Sequence, residues 1–262
     1  MIRFASWNIN SVRLRLPNLL RFLDEFKPDV VSLQETKTEN IHFPLKALVE
    51  AGYPYAAIEG MKGYNGVAIL SKYPLHDIKI QHWCGKKDAR HISAMVEGIE
   101  LHNLYVPAGG DIPDPDQNPK FEHKLNFIKT LTDFFDETSI KNRPTVILGD
   151  LNIAPLETDV WSHKQLLDVV SHTPIEVDLL NKMQHGSNFI DSIREIIPPN
   201  EKLFSWWSYR SPDWTKNDRG RRLDHIWVTP PLASKIQQAQ IIKDMRAWVS
   251  PSDHVPVILD LN

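Results

Sequence analysis

The chain has 262 residues, 42% of them hydrophobic and 24% charged, with a formal net charge of −3. This is globular composition with ample material for a core, and no apolar run approaches the ~18 to 20 residues of a membrane span. The slight acidity excludes a protein that coats nucleic acid through bulk positive charge, although it allows a local basic patch.

The opening MIRFASWNIN lacks the basic-then-apolar layout of a secretory leader, and Cys84 is the only cysteine. A reducing, cytoplasmic setting with no membrane association is therefore expected. The first strand is predicted at 2–7, and Leu16, Leu19, Leu20, Leu23 and Phe26 then fall on one face of a helix. Further β-branched or aromatic runs bounded by Gly, Pro, Asn or Asp predict strands at 29–34, 65–71, 77–83, 91–97 and 100–106. The Pro- and Gly-rich stretch 106–119 reads as a long surface loop, of the kind that often carries function. A helix follows, with Phe121, Leu125, Ile128, Leu131 and Phe135 on one face, and then a strand at 144–149. Thr173-Pro174-Ile175-Glu176 is a capping box that opens a helix running toward Gln184. Strands at 203–208, 223–229, 238–243 and 255–261 complete the pattern. There is no repeat, low-complexity tract or Gly/Ser linker, so one domain spanning 1–262 is expected. Many strands with few helices suggest two packed sheets flanked by helices, since a doubly wound parallel sheet needs stricter alternation.

The strands share a habit: they end in polar residues. Gly149-Asp150-Leu151-Asn152 closes one, and an extended chain would send Asp150 and Asn152 to the same side. Asn8 and Asn10 repeat that spacing after the first strand. Gln34, Glu35 and Thr36 follow the second, Tyr105 ends another, Asp224 opens one, and Asp253-His254 precedes the last. Taken singly, such clusters are turns. Their recurrence in one chain points to a common site at one rim of the sheets.

The donor set is rich in oxygen: Glu35, Asp150, Asp224 and Asp253, with Asn8, Asn10 and Asn152. It suits a hard cation, Mg²⁺ or Mn²⁺, and no cysteine or histidine cluster suggests structural zinc. A phosphate-cradling Walker loop and a dinucleotide fingerprint are both missing. A metal, an acid able to activate water and a histidine together describe metal-assisted phosphoester hydrolysis.

The segments SWNINSVRLR, LQETK, GYNGVAILSK, LYVPAGG, GDLNIAP, FSWWSYR, RLDHIWV and SDHVPV resemble, in order and approximate spacing, the exonuclease III family of abasic-site endonucleases. That family lies within the endonuclease/exonuclease/phosphatase superfamily, and the resemblance covers Ile2 to Leu261. It implies an α/β fold, a four-layered sandwich of two mixed β-sheets flanked by helices. It also implies a Mg²⁺-dependent DNA-repair nuclease, monomeric, acting on double-stranded DNA at abasic sites and 3′ ends. By the resemblance, Glu35 is the principal metal ligand, and Asn8, Asp150, Asn152 and Asp253 belong to the metal's surroundings. Asp150 would orient or deprotonate the attacking water, and Asn152 would donate to the phosphoryl oxygen. His254, its ring held by Asp224, would contact the same phosphate, and Tyr105 would offer its phenol. Asn10, Trp206, Arg221 and Leu223 are the implied substrate-binding residues. Alternation along 203–208 puts only one of Trp206 and Trp207 in the pocket, and Trp206 matches the family position.

Three departures bear on the DNA grip. Ala108 stands where familiar members carry Asn or Gln, Arg221 stands where human-type members carry Trp, and 158–174 lacks their asparagine-rich loop. The loop 209–222 mixes Lys and Arg with Trp214, charge and stacking surface together. Two other functions compete: a superfamily phosphatase for lipid or inositol phosphates, and a silent DNA-binding module. The first wants a membrane-facing amphipathic surface that is not evident, and the full set of polar junctions counts against the second.

Overall fold

The apolar runs fold into two packed sheets in a computed structural model that describes residues 1–210 and 213–262. The strands among these residues are β1 (Ile2–Asn8), β2 (Val30–Gln34), β3 (Tyr55–Glu59), β4 (Val67–Ser71), β5 (His76–Gln81), β6 (His91–Val96), β7 (Ile99–Tyr105), β8 (Thr145–Asp150), β9 (Ile190–Asp191), β10 (Asp224–Val228), β11 (Ile236–Ile241) and β12 (Val257–Leu261). Two six-stranded sheets result, in the orders β11-β12-β1-β2-β4-β3 and β5-β6-β7-β8-β10-β9. Both are mixed. β1 runs parallel to β2 and β7 parallel to β8, while the other pairings, such as β1 with β12 and β8 with β10, are antiparallel. A parallel neighbour requires a crossover, supplied by helix Leu16–Phe26 in the first sheet and helix Pro119–Glu137 in the second.

Alternation along the strands sorts side chains into layers. Phe4, Val30, Val146, Leu148 and Ile226 face the space between the sheets. Ala5, Trp7, Val31 and Leu33 face outward against Leu19, Phe22 and Leu23 of the first crossover helix. On the far side, Leu104, Ile147 and Trp227 pack against Phe127, Ile128 and Leu131 of the second. Helix, sheet, sheet and helix thus form the four layers expected. The inward faces turn polar toward the ends of the parallel strands: Ser6, Asn8, Ser32, Gln34 and Asn103 are all fully buried. Gln34 Nε2 donates to Asn103 Oδ1 across the gap at 2.7 Å, and Asn103 Nδ2 donates back to the Ala68 carbonyl at 2.9 Å. These amides tie the sheets together just below their common rim.

Three strand expectations need correction. β3 was not anticipated, because its two alanines and half-exposed course give little β signal. The two-residue β9 is too short to carry a pattern. Residues 203–208 are not a strand. They form isolated bridges instead, with Trp206 paired to both Arg221 and His254. There the aromatic run reflects packing at the rim rather than a place in either sheet. Of the loop 209–222, Ser211 and Pro212 lie outside the described residues.

Gly149 sets the spacing of β7 and β8. Its φ is +144°, and a Cβ there would lie 1.9 Å from the Leu104 carbonyl oxygen. Gly149→Ala should therefore destabilise the fold by roughly 3 kcal/mol through overpacking and backbone strain. Gly98→Ala, at φ +76° with nothing within 4 Å of its Cβ, should cost about 1 kcal/mol, the strain component alone. Urea titration of both variants checks this, and equal midpoints would show that the Leu104 contact is not limiting.

Candidate active site

The inward positions that follow the apolar core are the predicted site residues themselves. Asn8 ends β1, Tyr105 ends β7, Asp150 ends β8 and Asp224 begins β10, all with inward side chains. Asn8 Nδ2 donates both to Glu35 Oε1 at 2.9 Å and to Asp150 Oδ2 at 2.8 Å. Tyr105 Oη donates to the same Glu35 oxygen at 2.8 Å. His254 Nδ1 lies 2.8 Å from Asp224 Oδ2, and its Nε2 lies 3.7 Å from Asp150 Oδ2. Ser205 Oγ donates to Asp224 Oδ2 at 2.7 Å, fixing the carboxylate that orients the ring. Asn10 Nδ2 and Trp206 Nε1 donate to the two oxygens of Asp253, at 2.9 and 3.0 Å. Lys37 Nζ bridges Glu35 Oε2 at 2.7 Å and Asn10 Oδ1 at 2.6 Å.

The spacing of two between polar residues has a different cause from the one expected. Asn152 has φ +54° and Asn10 has φ +47°, so neither continues its strand. The backbone N–H of Asn152 donates to Asp150 Oδ1 at 3.0 Å, and that of Asn10 to Asn8 Oδ1 at 3.1 Å. Each strand therefore ends in an Asx turn. The turn reading and the site reading describe the same residues, because the turn brings the pair together. Asn152 spends one amide hydrogen on the Val106 carbonyl, at 2.9 Å, and lines the cleft. Glu35 and Lys37 also adopt positive φ, +51° and +52°, and backbone strain of this kind gathers at functional sites.

The electrostatics follow from burial. Desolvation pushes the Asp150 carboxyl up to about 7, against the pull of His254. Burial alone would depress His254, but Asp224 and Asp150 raise it to about 10, so the ring is an imidazolium. Burial would raise Glu35 as well; hydrogen bonds from Asn8 and Lys37 outweigh it and hold the carboxyl below its ordinary value. Asp253 is likewise held low, with His254, Asn10 and Trp206 outweighing burial. Tyr105 is driven well above its ordinary value by burial and then by Glu35 and Asp150, which keeps the phenol protonated.

Asp150, Asp224 and His254 offer ligand atoms within 4.8 Å of one another, a possible acidic metal site. A protonated His254 is a poor ligand, however, so the oxygen donors are the better half of this set. Asp224 Oδ1 is buried without a hydrogen-bond partner, an orphaned acceptor of the kind a cation or its water satisfies. Carboxylate oxygens with neighbouring amides fit a hard divalent ion.

Above these residues opens a cleft of about 930 Å³, with Trp161, Trp206, Trp214, Arg219, Arg221 and Leu223 among its walls. Trp206 is half-buried there, whereas Trp207 is 1% exposed and packs in the outer core of the first sheet. Arg221 lies 5.3 Å over the Trp206 ring while its Nη1 donates to Ser171 Oγ at 2.7 Å. Sequence reasoning missed Trp161, which rises from 158–174, and Ser205. It also missed Lys37, although LQETK contains it; only the turn after Glu35 brings that ammonium back.

Residues 5–254 match the Endonuclease/Exonuclease/phosphatase family, and the chain belongs to it. Over 265 residues it is 31% identical to "Exodeoxyribonuclease III" of Haemophilus influenzae, covering 98% of both chains. It is 28% identical over 267 residues to "Exodeoxyribonuclease" of Bacillus subtilis, with 100% of each covered. Among solved structures, an AP endonuclease from Archaeoglobus fulgidus superposes with a TM-score of 0.93 at 32% identity, covering 100% of both chains. A 3′-5′ exonuclease from Neisseria meningitidis superposes with a TM-score of 0.92 at 30% identity, again over 100% of both.

Raising the Asp150 pKa has a sign that can be tested. The folded state holds this proton more tightly than the unfolded chain, so the group's contribution is present below its ordinary value of 3.8 and is lost as pH rises through about 7. Asp150→Asn, assayed in EDTA, should therefore gain stability relative to wild type as pH rises from about 4 to about 6.5, below the range in which His254, itself raised by Asp150, adds an opposing change. Denaturant titrations across this range decide it; a difference that ignores pH would mean that the carboxyl is not desolvated.

Proposed function

We infer that the chain is a metal-dependent DNA-repair nuclease that hydrolyses phosphodiesters of duplex DNA at abasic sites and at 3′ ends. The supporting observation is the Asp150–His254–Asp224 line beside Glu35, at the floor of a cleft walled by tryptophan and arginine. The relatives named as exodeoxyribonucleases and as an AP endonuclease support DNA as the substrate. A lipid or inositol phosphatase is not favoured, and no described helix is long and apolar enough to cross a membrane. The shared core between the sheets supports one domain over 1–262. The chain would act as a monomer in the cytoplasm, on DNA of the nucleoid.

In this reading Glu35 would be the principal holder of Mg²⁺, or Mn²⁺, with Asn8, Asp150, Asn152 and Asp253 around it. The ion would supply charge to the phosphoryl oxygens and acidity to a bound water. Asp150, held at the cleft floor by the Asn8 amide, takes the proton of the attacking water. His254, kept cationic by Asp224, and the Asn152 amide stabilise the charge that builds on the phosphoryl oxygens. Tyr105 keeps its proton and donates toward the phosphate or the leaving oxygen. In-line attack leaves a 3′-hydroxyl and a 5′-phosphate. Trp206, Leu223 and Arg221 line the place of the extruded sugar, and Asn10 steadies the rim through Asp253. An abasic nucleotide has little stacking to lose, so turning it out of the helix is cheap.

Incubating the protein with an abasic-site duplex, an intact duplex and a phosphoinositide, with and without EDTA, tests the reading. Cleavage should be confined to DNA and stop in EDTA; phosphoinositide turnover alone would refute it. Glu35→Gln should raise the Mg²⁺ requirement by roughly 10- to 100-fold with the fold intact, since the amide lacks the charge a hard cation needs. Near-normal turnover at low Mg²⁺ would move the metal to another acid.

Trp206→Ala should reduce abasic-site cleavage far more than removal of ordinary 3′ nucleotides, with the melting temperature almost unchanged. A core role would instead cost roughly 3 to 5 kcal/mol, with both activities falling together. Measuring both rates and the thermal midpoint on one preparation separates the two.

A further inference from the structure

Lys124, in the middle of helix Pro119–Glu137, is fully buried, and so is the Glu176 carboxylate that it meets at 2.5 Å. A buried ion pair is poor evidence for a gain in stability, because desolvating both charges offsets their attraction. Its other contacts suggest a different role. Lys124 Nζ donates to the backbone carbonyl of Asn152 at 2.8 Å and to that of Ala108 at 3.2 Å. With Glu176, that uses all three ammonium donors. Ala108 lies in the loop after Tyr105, and Asn152 in the turn after Asp150. Both loops are thus held by one side chain from outside either of them.

Glu176 extends the linkage. Its oxygens accept the Ser171 backbone N–H at 2.9 and 3.0 Å and the Thr173 hydroxyl at 2.7 Å. Ser171 is the residue whose hydroxyl accepts from Arg221, and Arg221 lies over Trp206. A chain of buried polar contacts therefore runs from the Asn152 turn to the cleft wall. The Lys124–Glu176 ion pair lies at its centre, and the Arg221 guanidinium at its far end.

Resting on the nuclease reading of the cleft, we propose that Lys124, through its pair with Glu176, is a positioning residue that holds the Asp150–Asn152 turn in register with the Arg221–Trp206 wall. A nucleotide seated against the wall then presents its phosphate to Asp150 and Asn152 without further adjustment. Misplacing reacting groups by about 1 Å can lower a rate by roughly 10²-fold.

Removing one partner would strand the other charge in the core, so the pair is replaced together, as Lys124→Met with Glu176→Leu. Apolar replacement of both partners of a buried ion pair is often neutral for folding. On a duplex carrying a reduced abasic site, the double variant should lose roughly 10- to 100-fold in kcat with KM within about threefold of wild type. Hydrogen exchange should rise in peptides covering 106–110 and 150–154, beyond the change at 171–176 that follows from leaving the Ser171 N–H and the Thr173 hydroxyl without Glu176. Wild-type kcat together with wild-type exchange in those peptides would overturn the proposal. The exchange measurement needs no turnover, so it still decides the matter if the chain proves not to cleave DNA. If the double variant does not fold, Lys124→Gln with Glu176→Gln, which strands no charge, is measured in the same way. It retains a donor for one carbonyl, and unchanged exchange in both loops would be equally decisive against the proposal.

Discussion

A single amide nitrogen holds the site together. Asn8 Nδ2 donates to Glu35 from within the first sheet and to Asp150 from the second, using both of its hydrogens on carboxylates. Two buried acids at this separation repel each other, and the amide offsets part of that repulsion while fixing their distance. The bridge requires β1 and β8 to end at one level, and that in turn requires the sheets to be locked against sliding. The Gln34–Asn103 contact one layer below supplies the lock. Parallel pairs at the centre of each sheet complete the arrangement, because only parallel neighbours finish at a common edge.

Charge balance explains which groups are protonated. His254 stands between Asp150 and Asp224 and is raised to about 10 despite full burial, so it neutralises one acid of the pair. Lys37 does the same for Glu35. Among the described residues Asp253 has no cation of its own in hydrogen-bonding contact; it relies on Asn10 and Trp206, with His254 adding attraction. The site therefore carries more negative than positive charge, and oxygen donors in excess of cations are the electrostatic signature of a divalent-ion site. Asp150 is the group left closest to neutrality, at about 7.

The sequence made the sheet residues legible because strand alternation and strand-end polarity are local signals. Asn8, Glu35, Tyr105 and Asp150 could be picked out where an apolar run stopped, Asp224 and His254 where one began, and the fold brings them together. What alternation could not supply was the reason for the spacing of two at Asn8–Asn10 and Asp150–Asn152, which lies in Asx turns with positive φ. Lys37, Ser205 and Lys124 escaped for another reason. Lys124 and Ser205 act through partners distant in sequence, Lys124 meeting Glu176 and Asn152 and Ser205 meeting Asp224, whereas Lys37 returns to Glu35 through a turn at positive φ. Lysine on a helix otherwise reads as a solvated residue, and nothing local marks one that is buried. The run at 203–208 misled in the opposite direction, since its aromatic residues serve the rim and outer core rather than a strand.

The stretch Arg221-Arg222-Leu223-Asp224 shows how a rigid sheet edge and a variable wall are joined. Arg221 turns toward Ser171 and Trp206 and forms the cleft wall. Arg222 turns the other way, fully buried, and pairs with Asp159 at 2.8 Å and Asp191 at 2.6 Å. Asp159 lies in the segment that also carries Trp161, and its neighbour Val160 bridges Arg221, so this ion pair anchors the wall from beneath. Leu223 then faces the cleft, and Asp224 begins β10 and orients His254. One extended run therefore assigns consecutive residues to wall, anchor, pocket and chemistry. Substitutions at wall positions such as Trp161 can reshape the wall without disturbing Asp224, as long as Asp159 keeps its pair with Arg222. Chemistry on the sheet edge can stay fixed while discrimination among substrates varies in the loops above it.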